Sequence, residues 1–229
     1  MTDSHLRELE RRFRASGSVD DEVAWLRARV QAGDLRESRL KLAAICGHAA
    51  SGILAGEGPG ERRDAWCNRI AEHGREAVER SDLAVGRHLL PCWTVAFPSD
   101  DRLEKALRVV EERLQGARSE TRVEGLGRAK HDAARLQAGG YDSPAARAAG
   151  AIEYAHGLSV YAAEGSLASM LQIVLSDSCE RWEGRPEGGS RWPEILAAVA
   201  REVAPWALGY SDAVRERVDE ARRRKVADG

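Results

Sequence analysis

The sequence predicts an all-α protein: about ten helices joined by short connections, arranged as stacked antiparallel hairpins in a degenerate helical-repeat or bundle-like architecture. Three observations carry this expectation. Ala, Leu, Arg and Glu dominate the chain, and these are strong helix formers, whereas aromatic residues make up 5% and Val and Ile rarely alternate with polar residues. Helix start and stop signals recur every 10 to 25 residues, a helix-length spacing. The segment 100–116 places Leu103, Ala106, Leu107, Val110 and Leu114 at 3/4 spacing, the pattern of one buried helical face.

Each element follows from local chemistry. A first helix over 3–15 stops at Ser16-Gly17. Ser18 or Asp20 caps a second, 20–32, with Val23, Leu26 and Val30 on one face. Gly33-Asp34 turns the chain into a third helix, 35–46, for which Gly47 is the C-terminal stop. A short piece at 48–55 ends in the loop GEGPGE, 56–61. Helices 62–79 and 81–96 follow, with Ser81 as the break between them. Pro98-Ser99-Asp100-Asp101 ends one helix and starts the next, with Ser99 as N-cap and the aspartates at the positive end of the helix dipole.

After 100–116, a helix over 119–138 ends at Gly139-Gly140. Ser143 caps the next helix, 144–164, with Pro144 at its first position, where the missing N–H costs nothing. That helix carries Ala145, Ala146, Ala148, Ala149, Gly150, Ala151, Ala155 and Gly157. So little bulk suits a central helix that its neighbours approach closely, above all at Gly150. Helix 166–182 and the loop 183–194 follow, then a last helix or pair over 193–226, with a kink expected near Pro205. The loop 56–61 is the best domain boundary, giving an N-terminal helical module 1–56 and a helical domain 61–229, or one continuous domain 1–229.

Composition narrows the function. A chain of 229 residues with 43% hydrophobic and 31% charged residues can bury a real core. Net charge is −2, and acidic residues accompany Arg11-Arg12 and Arg222 to Lys225, so no nucleic-acid stripe is expected. No run approaches the ~20 apolar residues of a membrane span, and MTDSHLRELERRFR lacks the apolar core of a signal peptide. Cys46, Cys67, Cys92 and Cys179 are widely spaced and form no C-x-x-C, so the expectation is reduced, mostly buried thiols in a cytoplasmic protein.

Catalytic signatures are sparse. GLGRAK at 125–130 lacks the spacing of a phosphate-binding loop, and no G-x-S-x-G elbow occurs. Glu153 and His156 share a helix face at i, i+3, and His131 adjoins Asp132, but a di-iron bundle needs a second Glu-x-x-His and further carboxylates. Cys46-Gly47-His48 fits a helix end better than a nucleophile–base pair. Six tryptophans against two phenylalanines read mostly as core wedges beside alanines. Trp182 and Trp192 flank the glycine-rich loop that holds Arg185, and these three residues are the candidate partner-binding set.

Two stretches resemble known families. Residues 99–165 open on an aspartate pair and a basic residue, Asp100, Asp101 and Arg102, followed by Ala106. They continue to Arg147, Ala148, Ala149 and Gly150, then His156, Tyr161 and Ala162. In these positions the chain resembles the helical immunity family often called Imm5. That resemblance implies a non-enzymatic protein of a bacterial polymorphic-toxin locus that neutralises a toxin by binding it, with no cofactor and with Asp100, Asp101, Arg102, Arg147, Gly150, His156 and Tyr161 in structural roles. Residues 6–50 are similar to a short helical module at the start of various bacterial proteins. The expected function is therefore protein recognition, as an immunity protein acting by occlusion. A helical adaptor in a larger complex is the second reading, and a metal-dependent helical-bundle enzyme the third. The expected partner is another protein, with no nucleic acid and no membrane.

Overall fold

The computed structural model describes residues 3–60, 62–117, 122–160, 167–179 and 192–227. The described residues form twelve α-helices and one 3-10 turn, and no strand occurs among them. The fold is all-α. By contacts the chain divides into two compact units: Met1–Glu61 with Ala200–Gly229, and Arg62–Val199. The first boundary falls at the end of the GEGPGE loop. By contacts, residues 200–229 group with the N-terminal segment. No local signal at residue 200 announces this; it lies inside a helix.

The first unit contains α1 (Asp3–Ser16), α2 (Val19–Gln31), α3 (Glu37–Ile45), α4 (Ala49–Ala55), the end of α11 (Trp192–Leu208) and α12 (Asp212–Ala227). Ser18 is the α2 cap: its hydroxyl accepts from the Asp21 backbone N–H at 3.3 Å. The Asp21 carboxylate closes the start of the helix, accepting from the Ser16 and Ser18 hydroxyls at 2.5 and 3.0 Å. The α3 exit is a Schellman turn, as Cys46-Gly47 suggests. Gly47 N–H donates to the Ala44 carbonyl, His48 N–H donates to that of Ala43, and Gly47 adopts a φ of +92°. An aromatic stack, Phe13 on Trp25 at 5.3 Å and Trp25 on Tyr210 at 5.2 Å, fills the space between α1, α2 and the chain after α11. The Arg29 guanidinium satisfies the terminal carbonyl of α11, donating to Leu208 O at 2.5 Å.

The second unit contains α5 (Arg63–Ala71), α6 (Arg75–Ala96), α7 (Arg102–Leu114), α8 (Leu126–Leu136), the 3-10 turn Gly140–Asp142, α9 (Pro144–Val160), α10 (Leu167–Cys179) and the start of α11. Ser143 caps α9 as expected, accepting from Ala146 N–H at 3.3 Å, with Pro144 at the first helical position. Helix α9 is central: α6, α7, α8 and α10 all pack on it, and Ala145, Ala146, Ala148, Ala149, Gly150, Ala151 and Ala155 are buried. A close approach in this packing falls on Gly86 of α6. A Cβ there would lie 2.6 Å from Leu107 Cδ2 and 3.3 Å from Ile152 Cγ1. Trp66 and Trp93 are core wedges with no exposed surface.

Two expected boundaries are corrected, and one left open between a helix and a pair is settled. Ser81 does not break a helix; it is buried inside α6, and its hydroxyl donates to the Ala77 carbonyl one turn back. The break lies instead at Glu72–Gly74, where Gly74 takes a φ of +93° that side chains resist. Ser99 does not cap α7. Asp101 holds the N-cap position, and the orphan Arg102 N–H is satisfied by the Asp100 carboxylate at 3.1 Å. The last helical stretch is a pair, α11 and α12, separated at Gly209 (φ +65°), with Pro205 inside α11.

Candidate functional site

The aspartate–arginine pair that opens α7 is a structural clamp. Arg102 donates from Nε and Nη2 to the Asp100 carboxylate, from Nη1 to Gly125 O at 2.9 Å, and from Nη1 to Asp132 Oδ2 at 2.9 Å. It thereby ties the start of α7 to the entry and middle of α8. The Trp93 indole N–H donates to Asp100 O at 2.9 Å, anchoring the same corner to α6. The Arg102 guanidinium holds the Asp100 carboxyl below the usual range, and the hydrogen bond to that carboxylate raises the pKa of Arg102 in turn. Asp101 pairs with Lys105 at 2.9 Å, and buried Arg147 pairs with Asp142 at 3.1 Å. Gly150 and His156 are buried in α9, and Tyr161 lies outside the described residues.

The other candidates separate. Trp182 and Arg185 lie outside the described residues. Trp192 is half-buried at the start of α11, its ring edge-on to buried Trp66 at 5.2 Å. Glu153 faces Lys130 and His131, and burial raises its carboxyl above the usual range. No group of three His, Cys, Asp or Glu side chains placed to hold a metal occurs among the described residues. Cys46 and Cys67 are buried free thiols. Burial pushes Cys46 well up and Cys67 up to about 12, so both stay protonated near neutral pH.

Sequence reasoning missed a polar network in the first unit. Glu22, on the first turn of α2, is 1% exposed. Its Oε1 accepts from the Tyr210 hydroxyl at 2.7 Å and lies 3.2 Å from His48 Nε2. On the far side of the ring, His48 Nδ1 accepts from the Ser51 backbone N–H at 3.4 Å, capping α4, and meets the Ser51 hydroxyl at 2.9 Å. Because Nδ1 accepts, the ring proton sits on Nε2, aimed at Glu22. The chain Ser51–His48–Glu22 has the residue types of a hydrolytic triad. Its serine, however, is fully buried and serves as the second residue of the cap. The arrangement holds the α2, α4 and Tyr210 backbones together.

Above this network lies a cleft of about 440 Å³, lined by Val19, Glu22, His48, Pro205, Tyr210 and Val218 and rimmed by Arg201, Arg215 and Asp219. Only His48 carried a sequence signal, as the residue after a helix stop. Glu22 and Tyr210 are 188 positions apart, and nothing local pairs them.

The second unit presents a different feature. Leu136 at the end of α8 is 70% exposed, Tyr141 in the 3-10 turn 53%, and Tyr154 on α9 43%. The Tyr141 hydroxyl sits 2.6 Å from His131 Nδ1, and the two rings meet edge-on at 5.6 Å. Comparison with known proteins adds no relative: no family model, curated protein or solved structure matches the chain. No helix among the described residues is long and apolar enough to cross a membrane.

Proposed function

We propose that the chain acts by recognising another protein through the face built by α8, the 3-10 turn and α9. The observation that carries this reading is Tyr141, an exposed aromatic ring already held in place by His131. Tyrosine brings a large apolar area and a polar tip with few rotatable bonds, so it loses little entropy on docking. A ring fixed before binding loses still less. Leu136 and Tyr154, on elements that pack against each other, add two large apolar side chains to the same stretch.

The specific form of the proposal is an immunity protein that neutralises a toxin by covering its working surface. It rests on the resemblance of 99–165 to the helical immunity family, a span that contains all three exposed residues. Such pairs bury about 1,200–2,000 Å² in total, and a few large side chains dominate their affinity. The test is a pull-down and calorimetric titration against the protein encoded beside this chain. Leu136→Ser, Tyr141→Ser and Tyr154→Ser combined should weaken binding at least about a hundredfold. Undiminished binding by a folded triple variant refutes the surface assignment.

A further inference from the structure

The face built by α8, the 3-10 turn and α9 also carries a charge pattern, and that pattern selects a class of partner. We propose that it takes an acidic protein segment, one that sets carboxylates beside an apolar cluster. This rests on the protein-recognition reading and adds the chemistry of the partner.

The pattern begins in α8. Leu126, Ala129 and Ala133 are buried, whereas Arg128, His131 and Arg135 are exposed. Those three follow one another at i, i+3 and i+7, so they form one stripe along the solvent side of the helix. The two arginines stand about 10 Å apart along the helix axis. Tyr141 joins the stripe between them, its hydroxyl donating to His131 Nδ1 at 2.6 Å. Leu136, 70% exposed, follows Arg135 directly. A fixed aromatic ring and an open leucine therefore lie beside two cations.

Charge then selects the partner. Neither Arg128 nor Arg135 makes an ion pair among the described residues. The carboxylates around them are engaged: Asp132 pairs with Arg102 at 2.9 Å, Asp142 pairs with Arg147 at 3.1 Å, and half-buried Glu153 faces Lys130 and His131. The remaining carboxylate of 122–160, Glu124, is exposed before α8, at the end away from Leu136. Set against Arg128, it still leaves Arg135 without a counter-charge beside Leu136. An ammonium group arriving at Tyr141 and Leu136 finds no open carboxylate, whereas a carboxylate finds a guanidinium, which can only donate. A phosphate backbone has no use for an exposed leucine, and a net charge of −2 over the chain disfavours a long polyanion.

The test uses three capped peptides with one apolar core, EELFLEE, QQLFLQQ and KKLFLKK, and a short oligothymidylate. Titrations followed by backbone amide NMR shifts are run on the full chain, on Arg128→Gln with Arg135→Gln, and on Leu136→Ser with Tyr141→Ser and Tyr154→Ser, each checked by circular dichroism. EELFLEE should bind saturably with a Kd of about 0.1–1 mM and shift the amides of α8 and the 3-10 turn. QQLFLQQ should bind about fivefold more weakly, and KKLFLKK more weakly still. The double arginine variant, or about 0.3 M salt, should erase the difference between EELFLEE and QQLFLQQ. KKLFLKK binding as tightly as EELFLEE, a preference for EELFLEE that survives in the arginine variant, tighter binding of the oligothymidylate, or no saturable EELFLEE binding overturns the proposal. Equal binding of EELFLEE and QQLFLQQ, both lost in the triple serine variant, overturns the acidic preference and leaves the recognition face standing. EELFLEE binding undiminished by the triple serine variant refutes the recognition reading and this inference with it.

Discussion

Replacing Asp82 by asparagine should change how stability depends on pH, and the size of the change follows from where Asp82 sits. The residue lies inside α6 and is 1% exposed, and neither carboxyl oxygen has a hydrogen-bond partner among the described residues. Burial in this setting, with the Glu79 charge adding repulsion, pushes its pKa well above the carboxylate range. In the unfolded chain the same group ionises near pH ~3.9. Between that value and its raised folded value, the folded state holds about one proton more than the unfolded state. Stability must therefore fall as pH rises through this window, by up to about 1.4 kcal/mol per pH unit from this one group. It levels off only once the folded carboxyl itself ionises.

Asparagine cannot titrate, and every other group titrates alike in both proteins, so the difference between them isolates Asp82. Urea denaturation followed by circular dichroism at pH ~5 and ~6 reads it directly. The Asp82→Asn protein should gain up to about 1.4 kcal/mol on the wild type over that one unit, whatever its constant offset. A difference that stays flat, or that moves against the variant as pH rises, would show an ionised and paired Asp82 and refute the reasoning.

Three further expectations follow from the packing and the networks. Gly86→Leu should cost about 1–3 kcal/mol or more by overpacking the meeting of α6, α7 and α9, read as a lower urea midpoint. Gly86→Ala should cost much less, since Leu107 can turn its end methyl aside and alanine gains about 1 kcal/mol of helix propensity; an unchanged midpoint for the leucine variant contradicts the close approach. Arg102→Gln should cost about 1–3 kcal/mol at neutral pH by unpairing Asp100 and Asp132. Because Asp100 is depressed in the fold, its stabilisation is present above pH ~4 and lost as pH falls through its folded value, so the gap between the two proteins should narrow in acid. His48→Ala removes the α4 cap and a donor to Glu22, and should cost about 1–2 kcal/mol with faster amide exchange at Ser51; unaltered exchange there would deny the cap.

The sequence makes the local parts of this architecture legible. Ser18, Ser143-Pro144 and Gly47 each mark a helix end because the group that satisfies the backbone lies within three residues of it. The small residues of α9 announce a central helix because they let neighbouring helices approach closely. Misreadings come where two local signals compete. Ser81 reads as a break, yet a serine can bond back to the preceding turn, and the positive φ that ends a helix fell on Gly74. Ser99 reads as a cap, yet Asp100 reaches the same N–H. The cleft stayed hidden for a different reason: its floor joins Glu22, His48 and Tyr210 through tertiary contacts that no window of sequence contains. The return of residues 200–229 to the first unit has the same origin.

The claim that the chain works through a surface and not through a reactive group is tested most directly by growth. Under the proposed immunity function, cells would co-express the candidate toxin from the neighbouring gene with the wild type, the Leu136/Tyr141/Tyr154→Ser variant, His156→Asn or Glu22→Gln, all matched for folded yield by circular dichroism. Wild type, His156→Asn and Glu22→Gln should protect the cells, and the triple surface variant should not. Protection by the triple variant, or its loss on changing His156 or Glu22 in a folded protein that still binds the toxin, would contradict the account.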